Sequence, residues 1–381
     1  MARSARGELI GVVGGGQLGR MIALAGIPLG YRFRFLDPSA DCPAAAVGEV
    51  IQGAYDDERA LARLIDGAIA ATYEFENVPA RAAQYLEHHT RLAPPAHSLA
   101  VAQDRINEKT FFAECGVPVQ AFRAVASEAE LSDALGAVGV PGVLKTRRLG
   151  YDGKGQAVIR DRSAALAAWR SLGAVPCIYE AFVPFEREVS VVATRCRGGA
   201  FAAHPLTRNE HREGILRVSV SPDPAASPAL RRTAEGHVRA IAERLNHVGT
   251  LAVEFFVTKD GLVANEMAPR VHNSGHWTIE GAVTSQFENH VRAVAGLPLG
   301  AADVRGASAM VNLIGTVPDV HDLFDVPGAH VHLYGKDPKP GRKLGHVTVV
   351  ASDHEELMPR VERLRELAGE AGQPATASRT G

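Results

Sequence analysis

The sequence predicts an α/β chain built from several units, a parallel-sheet domain first and strand-rich units after it. Three observations carry this. Residues 9–13 read as a strand, 14–19 as a glycine turn, 18–29 as an apolar-periodic helix and 31–36 as a second strand, which is the βαβ order of a parallel sheet. Residues 251–266 read instead as an antiparallel hairpin, with alternating apolar positions on both arms. The 381 residues exceed one ordinary core and give a prior of roughly two to three domains.

Composition narrows the function classes. Hydrophobic residues make up 46%, charged residues 22%, and the formal net charge is −2, so no field recruits nucleic acid or a membrane surface and any phosphate binding is local. Cys42, Cys115, Cys177 and Cys196 lack C-x-x-C spacing, which argues against a zinc site or disulfide framework and for a reducing cytoplasm. No apolar run approaches the roughly eighteen residues that span a bilayer.

In chain order, GGGQLG at 14–19 matches G-x-G-x-x-G between strand and helix, with Asp37 at the end of the next strand. That is a dinucleotide fingerprint, but free amides at a helix N-terminus accept any phosphate, and the turn can also serve packing alone. Gln17 and Leu18 would face such a ligand. The prolines of LAPPAHSLAVAQDR mark a boundary near Gln103, giving a first unit of 1–103. A second unit, 104–177, holds two helices, a strand at 142–145, a glycine loop and a strand at 156–159. The loop RRLGYDGKGQ can close its amides over phosphates, and Lys145 at the strand end can reach them. It is not a Walker A loop, because Gly155 leads into Gln156 and a strand.

The third unit, 178–300, opens with YEAFVPFEREVSV, where Glu180 ends one strand and Glu188 begins another around Ala181, Phe182 and Val183. Such a hinge suits a purine; it is equally an ordinary strand junction. In the hairpin, a loop of Lys259, Asp260 and Gly261 pairs Thr258 with Leu262, Phe256 with Ala264 and Glu254 with Glu266. Directly opposed carboxylates, roughly 4.5–5.5 Å apart at Cβ, repel unless neutralised. Two hard oxygen ligands without nearby Cys or paired His suit Mg²⁺, with Mn²⁺ as a substitute; the alternative is two solvated glutamates. APRVHNSGH follows, concentrating Arg270, His272, Asn273, Ser274 and His276 where they can hold an oxyanion. The fourth unit, 301–368, has three strands, the basic turn YGKDPKPGRKLGH and an amphipathic helix at 354–367; the remaining 369–381 read as a disordered tail.

Taken together, GGGQLGRM, YEFENV, RRLGYDGKGQ, EREVSV, NEMAPRVHNSGHW, SQFENH and PGRKLGHV resemble the ATP-grasp superfamily, and within it the family of N5-carboxyaminoimidazole ribonucleotide synthetases. The resemblance runs to about residue 350. It implies an ATP-grasp fold with an N-terminal Rossmann-like domain (1–103), small (104–177) and large (178–300) ATP-grasp subdomains and a small β-rich C-terminal part. It implies ATP-dependent carboxylation of 5-aminoimidazole ribonucleotide by bicarbonate through carboxyphosphate, in a cytoplasmic homodimer that passes its product to a separate mutase. Carried over, nucleotide binding falls to Arg105, Lys145, Gly150, Tyr151, Asp152, Gly153, Lys154, Gly155, Gln156, Glu180, Ala181, Phe182, Val183, Glu188, His211, Asn265 and Glu266, and the metal to Glu254 and Glu266. Ribonucleotide binding falls to Gln17, Leu18, Tyr151, Asp152, Arg270, His272, Asn273, Ser274, Lys336 and Arg342. Arg270, His272, Asp152 and Lys145 are the catalytic candidates, Asp152 as a proton acceptor or as a positioning group. Rival readings are another ATP-dependent carboxylase or ligase, an NAD-dependent dehydrogenase, which leaves Glu254 and Glu266 without a role, and a non-enzymatic binding protein.

Overall fold

The computed structural model describes residues 7–150 and 154–370, so the expectations placed on Tyr151, Asp152 and Gly153 lie outside the described residues. Strands β1 (Glu8–Val13), β2 (Tyr31–Asp37), β3 (Glu49–Gln52) and β4 (Ala68–Tyr73) form a parallel sheet in the order β3-β2-β1-β4. The helix Gln17–Gly26 follows the glycine turn, and a short 3-10 turn at Ile27–Leu29 ends the segment expected to be helical throughout. Proline at 28 and Gly30 in the left-handed region explain the early stop.

Strands β5 (Phe122–Val125), β6 (Gly142–Thr146), β7 (Gln156–Ile159) and β8 (Cys177–Ala181) form a separate antiparallel sheet, β5-β8-β6-β7, covered by Leu131, Leu135 and Trp169. The remaining strands share one sheet. They are β9 (Arg187–Arg195), β10 (Phe201–Ala203), β11 (Thr207–Arg212), β12 (Ile215–Ser221), β13 (Gly249–Thr258), β14 (Gly261–Ala268), β15 (Ala307–Ile314), β16 (Ala329–Leu333) and β17 (Lys343–Ala351). Their order is β14-β13-β9-β11-β12-β15-β17-β16, with β10 paired to β9. The C-terminal strands thus extend the large sheet through the β12–β15 pairing and bring the basic turn, between β16 and β17, to the rim of the same sheet that carries the glutamate hairpin.

Packing also crosses the expected boundaries. The helix Gln286–Ala295 places Phe287 and Val291 in the core of Met21, Phe33 and Tyr31, so the parallel sheet is closed by residues far downstream. His290 ties the two: its Nδ1 accepts from Thr250 N at 3.1 Å, and Nε2 meets Thr72 Oγ1 at 2.9 Å. Glu370, expected to lie in the tail 369–381, is buried and paired with Arg217 at 2.8 Å and Arg212 at 2.9 Å.

Candidate active site

The hairpin is tighter than its sequence suggests. Its loop is Lys259 and Asp260 alone, closed by a Thr258–Gly261 pair, with Gly261 at φ +122°. Glu254 faces Glu266 as expected, whereas Phe256 meets Val263 and not Ala264, and Thr258 does not meet Leu262. One extra residue, Asn265, restores the glutamate register, and such a bulge re-aims side chains. Asn265, Glu266 and Glu254 accordingly line one cavity. The bulge is held from below by Lys109, fully buried, whose Nζ donates to Asn265 O at 2.6 Å and Ala264 O at 2.9 Å.

The electrostatics are those of an under-neutralised carboxylate pair. Burial pushes the Glu254 carboxyl up, His211 opposes it, and Glu266 and Glu188 reinforce it. Burial also acts on Glu266, but the Arg105 guanidinium at 3.0 Å outweighs it and holds that carboxyl below its usual range. His211 loses from burial, yet Glu188 at 2.5 Å, together with Glu254 and Glu266, raises it to about 9. Among the described residues no three His, Cys, Asp or Glu side chains are arranged to hold a metal alone. A divalent cation would therefore rest on Glu254 and Glu266 and complete its shell with water and phosphate oxygens, the habit of Mg²⁺.

Two cavities meet at this pair. One, of about 210 Å³, is lined by Lys145, Lys154, Gln156, the hinge Glu180, Ala181, Phe182 and Val183, and by Glu188, His211 and Asn265. Phe185, stacked on Phe256 at 4.7 Å, lines this cavity together with Val143 and Val158 and gives it an apolar lining that suits a flat ring. Both partners of the Glu180 carboxylate meet Oε2, Lys145 Nζ at 2.7 Å and Gln120 Nε2 donating at 2.7 Å, while Oε1 is buried without a hydrogen-bond partner. Burial disfavours its charge, but Lys109 and Lys145 hold it down at about 2.

The second cavity, of about 360 Å³, is lined by Gln17, Leu18, Glu74, Glu76, Gly150, Arg270, His276 and Tyr334 among others. Arg105, Glu254, Glu266, His272, Asn273 and Lys343 belong to both walls. Arg270 is paired with Glu76. His272 Nδ1 is bound by Ser274 Oγ at 2.9 Å and its Nε2 lies 3.8 Å from Glu254, while burial, then Arg270, Lys343 and His211, push it well below its ordinary value. It is a neutral imidazole whose engaged Nδ1 leaves Nε2 to carry the proton.

The chain matches the ribonucleotide synthetase preATP-grasp domain over residues 8–103, the ATP-grasp domain over 110–287 and the phosphoribosylaminoimidazole carboxylase C-terminal domain over 308–360. The N5-carboxyaminoimidazole ribonucleotide synthase of Pseudomonas aeruginosa is 51% identical over 358 residues, covering 94% of this chain and 99% of the relative. The chain belongs to the N5-carboxyaminoimidazole ribonucleotide synthase family. The crystal structure of the synthetase from Thermus thermophilus superposes with a TM-score of 0.91 at 53% identity, covering 96% of this chain and 99% of that one. The synthase of Aspergillus clavatus, solved in complex with ADP and 5-aminoimidazole ribonucleotide, gives 0.89 at 28% identity, covering 96% and 99%.

Three of the groups expected at the site of this synthase family have partners within the protein. Ser274 is fully buried, accepts from Ser190 at 2.8 Å and binds the His272 ring, so its hydroxyl orients His272. Neither Lys336 nor Arg342 lines either cavity: Arg342 donates to Asp337 O at 3.1 Å within its own turn, and Lys336 donates to Gln17 Oε1, which does line the acceptor cavity. The glycine turn offers no vacant cradle: Gly15 N donates to Asp37 Oδ2 at 2.9 Å, Gly19 N to Glu74 Oε2 at 2.7 Å, and Gly16 N to the same carboxylate. Sequence reasoning missed Gln120, Phe185, Phe256, Glu74 and Glu76 as wall residues. The adjacent carboxylates of YEFENV at the end of β4 were the available signal for the last two.

Proposed function

We propose that this chain carboxylates the exocyclic amine of 5-aminoimidazole ribonucleotide with bicarbonate, cleaving ATP to ADP and phosphate through carboxyphosphate. The observation that carries the reading is the shared wall: six residues, among them both glutamates, face the cavity for a flat ring and the cavity for an acceptor at once. A phosphoryl group leaving the first cavity enters the second directly. ATP lies with its base between Phe185 and Val143 and its backbone contacts at the hinge 180–183, Glu188 and His211 toward the ribose, and Lys145, Lys154 and Arg105 toward the phosphates. Mg²⁺ on Glu254 and Glu266, when bound, would offset the charge of the transferring phosphoryl group.

Bicarbonate is a poor electrophile and is phosphorylated first. Arg270, as a planar cation, and His272, as a neutral donor held by Ser274, keep it in line with the phosphoryl group. Lys336 takes the ribonucleotide phosphate. Carboxyphosphate hydrolyses in bulk water, so the glycine flap from Gly150 to Gln156 excludes solvent, and Asp152 on it accepts the amine proton or positions the amine. The family resemblance supports a cytoplasmic homodimer and transfer of the carbamate product to a separate mutase; no helix among the described residues is long and apolar enough to cross a membrane. The test counts ADP and carbamate product separately while bicarbonate and ribonucleotide are omitted in turn. ADP formation that needs neither, or product formation without ATP, overturns the proposal.

A further inference from the structure

His276 and His346 end the two motifs richest in candidate ligands, yet neither has a part in the chemistry above. They meet: the rings of His276 and His346 lie 4.8 Å apart, and His346 stacks on His332 at 4.4 Å and 7°. Tyr334 OH bonds His346 Nδ1 at 2.7 Å, and His332 Nε2 bonds Glu280 at 2.7 Å. Tyr334 and His276 both reach the wall of the acceptor cavity from this cluster.

The orientation of the His276 ring is set by Gln286. That amide is read twice by the His272 backbone, its Oε1 accepting from His272 N at 2.8 Å and its Nε2 donating to His272 O at 2.7 Å. With the amide so fixed, its Nε2 also faces His276 Nδ1 at 3.3 Å, and Nδ1 can only accept. The one ring proton of a neutral His276 then sits on Nε2, on a ring that lines the acceptor cavity. Burial, then the neighbouring His272 and His332 and the cations Lys343 and Arg270, keep the ring far from protonation. A second contact restrains the ring as well: the Phe287 ring lies 5.4 Å away.

We propose that His276 is a binding residue of the acceptor site, a tautomer-fixed donor whose Nε2–H bonds an acceptor atom of the imidazole or ribose of the ribonucleotide. This rests on the acceptor reading of the second cavity. A neutral donor suits that part of the ligand, because its ring nitrogen and hydroxyls are uncharged acceptors, whereas the carboxylating anion already has Arg270 and His272. The donor also reads the ligand by shape, since a buried N–H left unmet costs more than a bond gained returns.

The experiment uses the full chain in three forms, wild type, His276→Phe and His276→Gln, whose amide nitrogen falls near the position of Nε2. Calorimetric titration with 5-aminoimidazole ribonucleotide should show roughly three- to ten-fold weaker binding for the phenylalanine variant, the loss of one net hydrogen bond, and recovery of most of it for glutamine. ADP affinity should stay unchanged in both. Histidine-selective ¹⁵N NMR of the wild type should show an unprotonated Nδ1 and a protonated Nε2 at neutral pH, which keeps the proposal falsifiable if His276→Phe fails to fold. Wild-type affinity in a folded His276→Phe, equal losses in both variants with unchanged melting temperatures, or an Nδ1–H tautomer would each overturn it. A wild-type chain that binds no ribonucleotide overturns the acceptor reading itself.

Discussion

Replacing Lys109 with Met tests whether the bulge under the glutamate pair is set by a buried charge. Lys109 Nζ makes three hydrogen bonds, to Asn265 O at 2.6 Å, Ala264 O at 2.9 Å and Gln120 Oε1 at 3.3 Å, and lies 3.9 Å from Glu180. Methionine fills the volume and removes every donor. Breaking a buried pair by deleting one partner costs about 3–5 kcal/mol. Glu180 keeps Lys145 and Gln120, both at 2.7 Å, so the lower end, about 3 kcal/mol, is expected. At about 2 °C per kcal/mol for a chain of this size, the calorimetric midpoint falls by about 6 °C. Because Asn265 O also loses its tether, the bulge relaxes and the Michaelis constant for Mg²⁺-ATP rises while the ribonucleotide constant stays put. Scanning calorimetry and initial rates against each substrate read both effects. A variant melting within about 1 °C of wild type with an unchanged nucleotide constant refutes the reasoning.

Glu254→Gln should leave the melting temperature close to wild type and cut ATP-dependent turnover by several kcal/mol of transition-state stabilisation, read as a much higher Mg²⁺ requirement. Arg270→Ala should abolish bicarbonate-dependent ADP formation with little change in nucleotide affinity, whereas Lys336→Ala should chiefly raise the ribonucleotide Michaelis constant; identical defects in two kinetic series would merge the proposed anion and phosphate ends. His247 and His290, lowered by burial to about 4 and about 3, stay neutral when folded and take protons when unfolded below about 6.5. Their stabilisation is therefore complete above that pH and lost as pH falls toward 4: about 2–3 kcal/mol disappears between pH 7 and 5.5, and melting curves at the two values should separate accordingly.

What the sequence made legible was whatever repeats with a short period or sits at a turn. The strands at residues 9–13, 142–145 and 156–159, the helix His354–Leu367 and the Glu254–Glu266 opposition all follow from local pattern. The bulge did not, because one inserted residue leaves the alternation intact on either side and is fixed by a lysine on a distant helix. The contacts of Ser274 were hidden for a related reason: its neighbours in sequence face the cavity, but its hydroxyl is engaged by Ser190 and His272. Glu74 and Glu76 passed unassigned since their partners, Gly16, Gly19 and Arg270, lie 55 to 194 residues away.

The glycine turn shows how far a motif can mislead without such partners. A G-x-G-x-x-G turn presents amides at a helix N-terminus, and those amides attract an anion of any origin. Here the anion is internal. Glu74, at the end of β4, receives Gly16 N and Gly19 N, and Asp37 receives Gly15 N, so the cradle that a pyrophosphate needs is filled before any ligand arrives. Burial pushes the Glu74 carboxyl up, the two glycine amides hold it down, and a Cβ at Gly14 or Gly16 would strike it. The glycines are thus required by a carboxylate and not by a dinucleotide. What the helix contributes to the site is its first side chain, Gln17, which receives Lys336 from the basic turn and so joins the first sheet to the last strands across the acceptor cavity.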